Sequence, residues 1–251
     1  MDIHYSKDHN LNTTPALSVI IPAYNEHDRI VPTLENTIAY LKEQSFFSEV
    51  IVVSDGSSDS TAQVAKKFTT PSNIRMRALE YHPNRGKGYA VRYGMLRSNG
   101  AIAMFMDADY AVPMTYCKDG MALIEKGYDV AIASRAVSGA KIQEHQNTLR
   151  KLSAKIYTFI QNNYLGIAYP DTQCGFKFFT RSAARALFGR QKLDSVIFDP
   201  ELLWLANKAG YKVAQFGVKW RHVADSRIQY DTIQKSVFVF QELLKIRRIH
   251  K

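Results

Sequence analysis

This sequence predicts an α/β fold in which a mainly parallel central sheet is flanked by helices on both faces. Three observations carry that expectation. Apolar runs of strand length alternate with segments of helical apolar spacing, no Pro/Gly/Ser-rich linker interrupts them, and several of the runs end on acidic or polar residues. At 251 residues the chain could form one large domain or two small ones. The unbroken alternation, with no internal repeat, favours one.

In chain order, Met1 to Pro15 is a polar arm rich in His, Asn and Thr. Leu17 to Pro22 has the continuous apolar character of a strand buried on both faces, and Ile30 to Gln44 has helical spacing. Glu49 to Ser54 is the second strand, Ser60 to Phe68 the second helix. Arg75 to Glu80 alternates polar and apolar residues, as a less buried strand does. Tyr89 to Arg97 reads as helix, Ala101 to Met106 as strand, Thr115 to Lys126 as helix and Tyr128 to Ser134 as strand. Strict alternation then ends. Leu149 to Tyr164 is an amphipathic helix with Leu149, Leu152, Ile156, Phe159 and Ile160 on one face. Phe176 to Thr180 is a short strand, Ser182 to Phe188 and Pro200 to Ala209 are helices, and Lys212 to Val218 is a strand. Gln229 to Lys251 is a basic amphipathic helix. The expected organisation is an arm over 1–15, one domain over 16–228 and a C-terminal helix over 229–251.

Composition narrows the class. With 46% hydrophobic and 22% charged residues, wholesale disorder is excluded. Lys plus Arg at 33 against Asp plus Glu at 23 gives +10, which favours anionic partners. The basic residues are dispersed, and no zinc spacing or aromatic RNA-binding signature accompanies them, so no nucleic-acid partner is expected. Two cysteines, Cys117 and Cys174, cannot build a disulfide framework, and no secretory leader is visible, so a cytoplasmic location is expected. No apolar run approaches the roughly 18 residues that span a bilayer, so any membrane contact is expected to be peripheral.

Ligands of open α/β sheets gather outside the carboxyl ends of the strands. Here the first strand runs into Pro22-Ala-Tyr-Asn-Glu26, the second into Ser54-Asp55-Gly-Ser-Ser-Asp-Ser-Thr61, and the fourth into Asp107-Ala-Asp109. Two carboxylates one residue apart at a strand tip suit Mg²⁺ or Mn²⁺, which take one or two protein carboxylates plus water and phosphate oxygens. Asp55 precedes its turn and is free to accept hydrogen bonds from a base or ribose, while Ser57, Ser58 or Asp59 caps the next helix. Asn84-Arg-Gly-Lys-Gly88 is a basic turn before a helix, suited to phosphate but not a P-loop, since position 81 is Tyr and Gly88 follows Lys87. His27, His82, His145 and His222 show no metal spacing, Cys174 reads as packed, and Trp204 and Trp220 read as core.

Together these motifs resemble family 2 glycosyltransferases of GT-A (nucleotide-diphospho-sugar transferase) fold. Ala133-Ser-Arg135, Asp171-Thr-Gln-Cys-Gly-Phe-Lys-Phe-Phe179 and Phe198-Asp-Pro-Glu-Leu-Leu203 are similar to the polyprenyl-phosphate branch, especially the dolichyl-phosphate glucosyltransferases. The likeness covers roughly Leu17 to Gln229, which makes 16–228 the catalytic domain. The polar residues 1–15 are not expected to form the N-terminal membrane helix of that branch.

The resemblance implies metal-dependent, inverting transfer of a hexose from a nucleotide diphosphate sugar, UDP-glucose favoured, to a polyprenyl phosphate. On that analogy Pro22, Tyr24, Glu26, Asp55 and Lys87 hold the donor, and Asp107 and Asp109 reach its diphosphate, Asp109 chiefly through Mg²⁺ or Mn²⁺. Arg135 and Arg227 contact phosphate of donor or acceptor, Asp171 and Gln173 lie beside the donor sugar or acceptor, and Asp199 and Glu201 close the sugar pocket. GDP-mannose as donor and a soluble or polysaccharide hydroxyl as acceptor stay open; for a hydroxyl, Asp171 or Asp199 could act as base. An anionic membrane surface is the expected seat of the two amphipathic segments, which could instead pack on the sheet or in a homodimer.

Overall fold

The computed structural model describes residues 14–142, 148–221 and 233–251. The elements run β1 (Leu17–Ala23), α1 (His27–Lys42), β2 (Ser48–Asp55), α2 (Thr61–Lys67), β3 (Ile74–Tyr81), α3 (Lys87–Met95) and β4 (Ile102–Met106). A 3-10 turn at Met114–Tyr116 leads into α4 (Cys117–Glu125), followed by β5 (Val130–Ser134), β6 (Lys141–Ile142) and α5 (Thr148–Leu165). The remainder is β7 (Phe176–Thr180), α6 (Arg181–Arg190), α7 (Phe198–Lys208), β8 (Val213–Gly217), β9 (Lys219–Trp220) and α8 (Ile233–Ile249).

Seven strands form one sheet in the order β3-β2-β1-β4-β7-β5-β8, and β6 pairs with β9 apart from it. All neighbours in the large sheet are parallel except β7, which runs antiparallel to both β4 and β5. The sequence anticipates each strand of this sheet but not that reversal. Its consequence is topological. Residues that precede β7, rather than those that follow it, stand at the rim where the parallel strands end. Met106 pairs with Phe176, and the Asp107 N–H donates to the Gly175 carbonyl at 3.2 Å.

Side chains alternate across the sheet, so each face has its own core. Ile20, Ile51, Val53 and Phe105 face α3, α6 and α7, and Phe105, Phe179, Phe188 and Phe198 pack edge to face or offset there. Val19, Ile21, Val50, Val52 and Met104 face α1, α2 and α4. Burying each such side chain stabilises the fold by about 1.5–3 kcal/mol. Helix α8 belongs to the first core. Val239, Leu243 and Ile246 are buried on one of its faces, while Val237, Phe238 and Leu244 are exposed on the other. Among the described residues no helix is long and apolar enough to cross a membrane.

Candidate active site

The loop after β1 is stitched to the loop after β2. Asn25, at φ 52°, accepts from the Ser58 N–H and hydroxyl, and donates its own N–H to Ser57 Oγ. Asparagine tolerates that left-handed backbone better than most residues. The Glu26 N–H donates to Thr61 Oγ1, and Asp59 caps α2 by accepting from the Thr61 N–H at 2.9 Å. Of the residues expected to hold the donor, Pro22 is buried within β1 opposite Val53, Tyr24 is exposed at the rim, and Glu26 is gripped by Arg29 at 2.6 and 2.9 Å.

Asp55 departs from expectation. Its carboxylate is buried and already accepts four hydrogen bonds from neutral donors, namely the Tyr81 hydroxyl, the Asn84 amide and the N–H groups of Arg85 and Gly86, at 2.7–3.0 Å. It is not free to accept from a base or ribose. It fixes the 84–86 turn that delivers Lys87 at the first position of α3.

At the centre of the rim Lys87 Nζ lies 2.5 Å from Asp107 Oδ1. Burial opposes its charge, but Asp107, Asp199 and Asp109 outweigh burial and hold the ammonium above its ordinary value. Burial, reinforced by the negative charge of Asp107, pushes the Asp109 carboxyl up; the Ala111 N–H, Lys87 and Arg29 pull the other way. Beneath them Lys177 Nζ donates to Asp199 Oδ1 and to the Cys174 carbonyl, both at 2.6 Å, and this pair is fully enclosed. Burial pushes the Asp199 carboxyl up against the pull of Lys177 and Lys87.

A divalent cation fits this donor set. Asp107 and Asp109 offer hard oxygens, and added positive charge relieves their mutual repulsion. Gly175 leaves the room: a Cβ there would lie 2.2 Å from Asp107 Oδ2. Among the described residues no third His, Cys, Asp or Glu joins a metal-binding group. Water and substrate oxygens can complete the coordination, the pattern Mg²⁺ favours.

The third part of the site straddles β5 and the stretch before β7. Arg135 donates its N–H and Nε to Asp171 Oδ2, both at 2.8 Å, and its Nη2 to Oδ1 at 2.9 Å. The Gln173 N–H adds a bond to Oδ1 at 3.2 Å. Burial would raise the Asp171 carboxyl, but the Arg135 bonds and charge hold it below its ordinary value. The Arg135 guanidinium also lies 5.5 Å from the Trp220 ring centre. Trp220 lines a small cavity with Asp107, Ala111, Val112 and Gly175, so it belongs to the site rim rather than the deep core. Cys174 is buried, and burial with the Asp171 charge pushes its thiol up to about 12, which leaves it inert.

Glu201 does not close this pocket. Two residues after Asp199 on α7, it points to the opposite side. Its oxygens accept from the N–H groups of Lys192 and Leu193 at 2.8 and 2.9 Å and meet His250 Nε2 at 2.5 Å. Arg227 and His222 lie outside the described residues. Lys87, Asp107, Asp109, Asp199, Arg135 and Asp171 do converge. Sequence reasoning missed Arg29 and Lys177 and took Trp220 for core. Lys177 carried a signal, a lone cation among Phe176, Phe178 and Phe179 in a predicted strand.

The profile of Glycosyl transferase family 2 matches residues 18–188. This chain belongs to that family. It is 36% identical to a dolichyl-phosphate beta-glucosyltransferase of Drosophila melanogaster over 87% of this chain and 72% of that protein. The figures for the Dictyostelium discoideum enzyme of the same name are 35%, 92% and 73%, and for one from Trichomonas vaginalis 35%, 84% and 65%. Among solved structures, glucosyl-3-phosphoglycerate synthase from Mycobacterium tuberculosis, crystallised with Mn²⁺, UDP and glucosyl-3-phosphoglycerate, superposes with a TM-score of 0.66 at 19% identity. That match covers 92% of this chain and 80% of the other, a likeness of fold that makes this family 2 member a GT-A protein.

Proposed function

We propose that the chain transfers glucose with inversion from UDP-glucose to a polyprenyl, dolichyl-type phosphate while resting on a membrane surface. One observation carries the choice of acceptor. Both carboxylates that could activate a hydroxyl are committed to cations, Asp171 to Arg135 and Asp199 to Lys177. A lipid phosphate needs no base, because with a second pKa of about 6 it is mostly dianionic at neutral pH. Its oxygen attacks the anomeric carbon, and the electron pair of the breaking bond leaves on the β-phosphate. Asp171 is then a positioning residue for Arg135. The names of the curated relatives support both sugar and acceptor.

Lys87 and Arg135 bring positive charge to the side of the site where the departing diphosphate gathers negative charge. Asp107 and Asp109 would hold Mg²⁺ or Mn²⁺. When bound, that cation adds Lewis-acid stabilisation of the leaving group. The exposed stripes Ile156, Phe159 and Ile160 on α5 and Val237, Phe238 and Leu244 on α8 support the membrane seat. The two helices lie side by side, with the Tyr157 and Phe240 rings 5.7 Å apart and the Tyr164 hydroxyl donating to the Leu244 carbonyl. Basic residues near such a surface add about 1 kcal/mol each.

The test is a panel of nucleotide sugars with a short polyprenyl phosphate, with and without Mn²⁺, read as glycolipid and released nucleotide. UDP-glucose with the lipid phosphate should turn over fastest, and Asp171→Asn should leave the shape of the pH–rate profile unchanged. Faster transfer to a sugar hydroxyl, or loss of the acidic limb in Asp171→Asn, would overturn the reading. Flotation with anionic liposomes should retain the protein, and Phe159→Ser with Phe238→Ser should release it.

A further inference from the structure

We infer that Lys87 is an exchangeable counter-ion, whose ammonium neutralises Asp107 in the donor-free chain and yields that carboxylate when a divalent cation and a nucleoside diphosphate arrive together. The inference rests on the donor reading above for the diphosphate and on geometry for the exchange. Asp107 Oδ1 is already bound by an ammonium at 2.5 Å. A second cation on the same carboxylate meets like charge across a partly enclosed site, where repulsion is screened far less than in water.

The backbone that carries the acids is held. Asp107 lies against the Gly175 backbone, and its N–H donates to the Gly175 carbonyl. The segment between the two acids is pinned to α1, because Thr33 Oγ1 donates to the Ala108 carbonyl at 2.7 Å, and Asp109 accepts from the Ala111 N–H at 3.0 Å. The turn that carries Lys87 is fixed as well, since the N–H groups of Arg85 and Gly86 are spent on Asp55. The longest lever in the pair is the four-carbon stem of Lys87, whose rotations carry the ammonium several ångströms while the short Asp107 side chain stays near its fixed backbone.

Charge bookkeeping favours arrival of both ligands together. Asp107, Asp109 and Asp199 face Lys87, and Lys177 is locked to Asp199. A divalent cation alone must displace or crowd the ammonium. A diphosphate alone meets the carboxylates. Together they satisfy each other's charge and offer the ammonium a new anionic partner, the phosphate oxygens. Linkage then requires that each ligand strengthen the other's binding by the same factor.

Mn²⁺ titrations of the full chain, followed by the electron paramagnetic resonance of free Mn²⁺, test this with and without UDP. The wild type should bind Mn²⁺ at least about tenfold tighter with UDP present, within the usual range of coupling. Lys87→Met and Lys87→Gln should bind Mn²⁺ without UDP about tenfold tighter than the wild type, and the UDP dependence should shrink. Circular dichroism confirms that the variants fold. Equal Mn²⁺ affinity of the wild type with and without UDP overturns the inference, and that arm needs no variant. Folded variants that bind Mn²⁺ no tighter than the wild type also overturn it. A chain that binds no UDP under either condition overturns the donor reading, and the inference with it.

Discussion

Asp55 and Asp107 stand at the ends of the two strands that flank β1, and their surroundings are opposite. Asp55 is saturated by neutral donors built into the chain, two of them backbone N–H groups. Asp107 is held by one ammonium on a flexible stem and otherwise leans on the bare backbone of Gly175. Position at a strand end is therefore not enough to make an acid functional. An acid whose lone pairs are filled by immobile donors braces the loop around it, and an acid balanced by a movable charge can change partners.

The enclosed pair Lys177–Asp199 is the extreme of the first kind, and breaking it gives the largest expected effect. Lys177→Met leaves a buried carboxylate uncompensated and should cost about 3–5 kcal/mol in urea unfolding, most of it recovered by adding Asp199→Leu. A loss under about 1 kcal/mol would mean that water reaches the pair. Next comes Asp109→Ala, which should lower transfer by about 10²–10³-fold with its unfolding midpoint near that of the wild type. Asp55→Ala should do the reverse, costing about 1–3 kcal/mol through the orphaned N–H groups of the 84–86 turn. An unmoved midpoint for Asp55→Ala would erase the contrast between the two acids.

The smallest effect is a pH dependence at Asp171. Its carboxyl is held below the ordinary value of 3.8, so the stability it contributes is whole above that value and fades as pH falls through the lower folded-state value. The gap in urea midpoint between wild type and Asp171→Asn should stay constant from pH 7 to about 5 and close below about 4. A gap that opens on acidification would put the shift in the wrong direction.

Much of this was legible in the chain. Runs such as Val50 to Val53 alternate between two cores and could only be strands buried on both faces, and the paired acids announce themselves by following an apolar run. What was not legible depends on contacts between distant residues. The direction of β7 is set by its pairing with both β4 and β5, which no local pattern records. The saturation of Asp55 needs donors about 30 residues away, and the turning away of Glu201 follows from its helical offset from Asp199. Arg29 gave no sign, because a surface-like Arg in a first helical turn is ordinary. Its closeness to Asp109 arises only when α1 folds back across the rim.

The stretch between α6 and α7 touches two distant parts of the molecule at once. On one side Ser195 Oγ donates to Glu242 at 2.7 Å and Lys192 reaches the Ile249 carbonyl, both on the C-terminal half of α8. On the other, the Asp194 carbonyl accepts from the Tyr89 N–H, and it would stand 2.5 Å from any Cβ added at Gly86. One strut thus joins the outermost helix to the turn that aims Lys87. Because that strut is shared, the seating of α8 and the aim of the 84–86 turn are set by the same few residues.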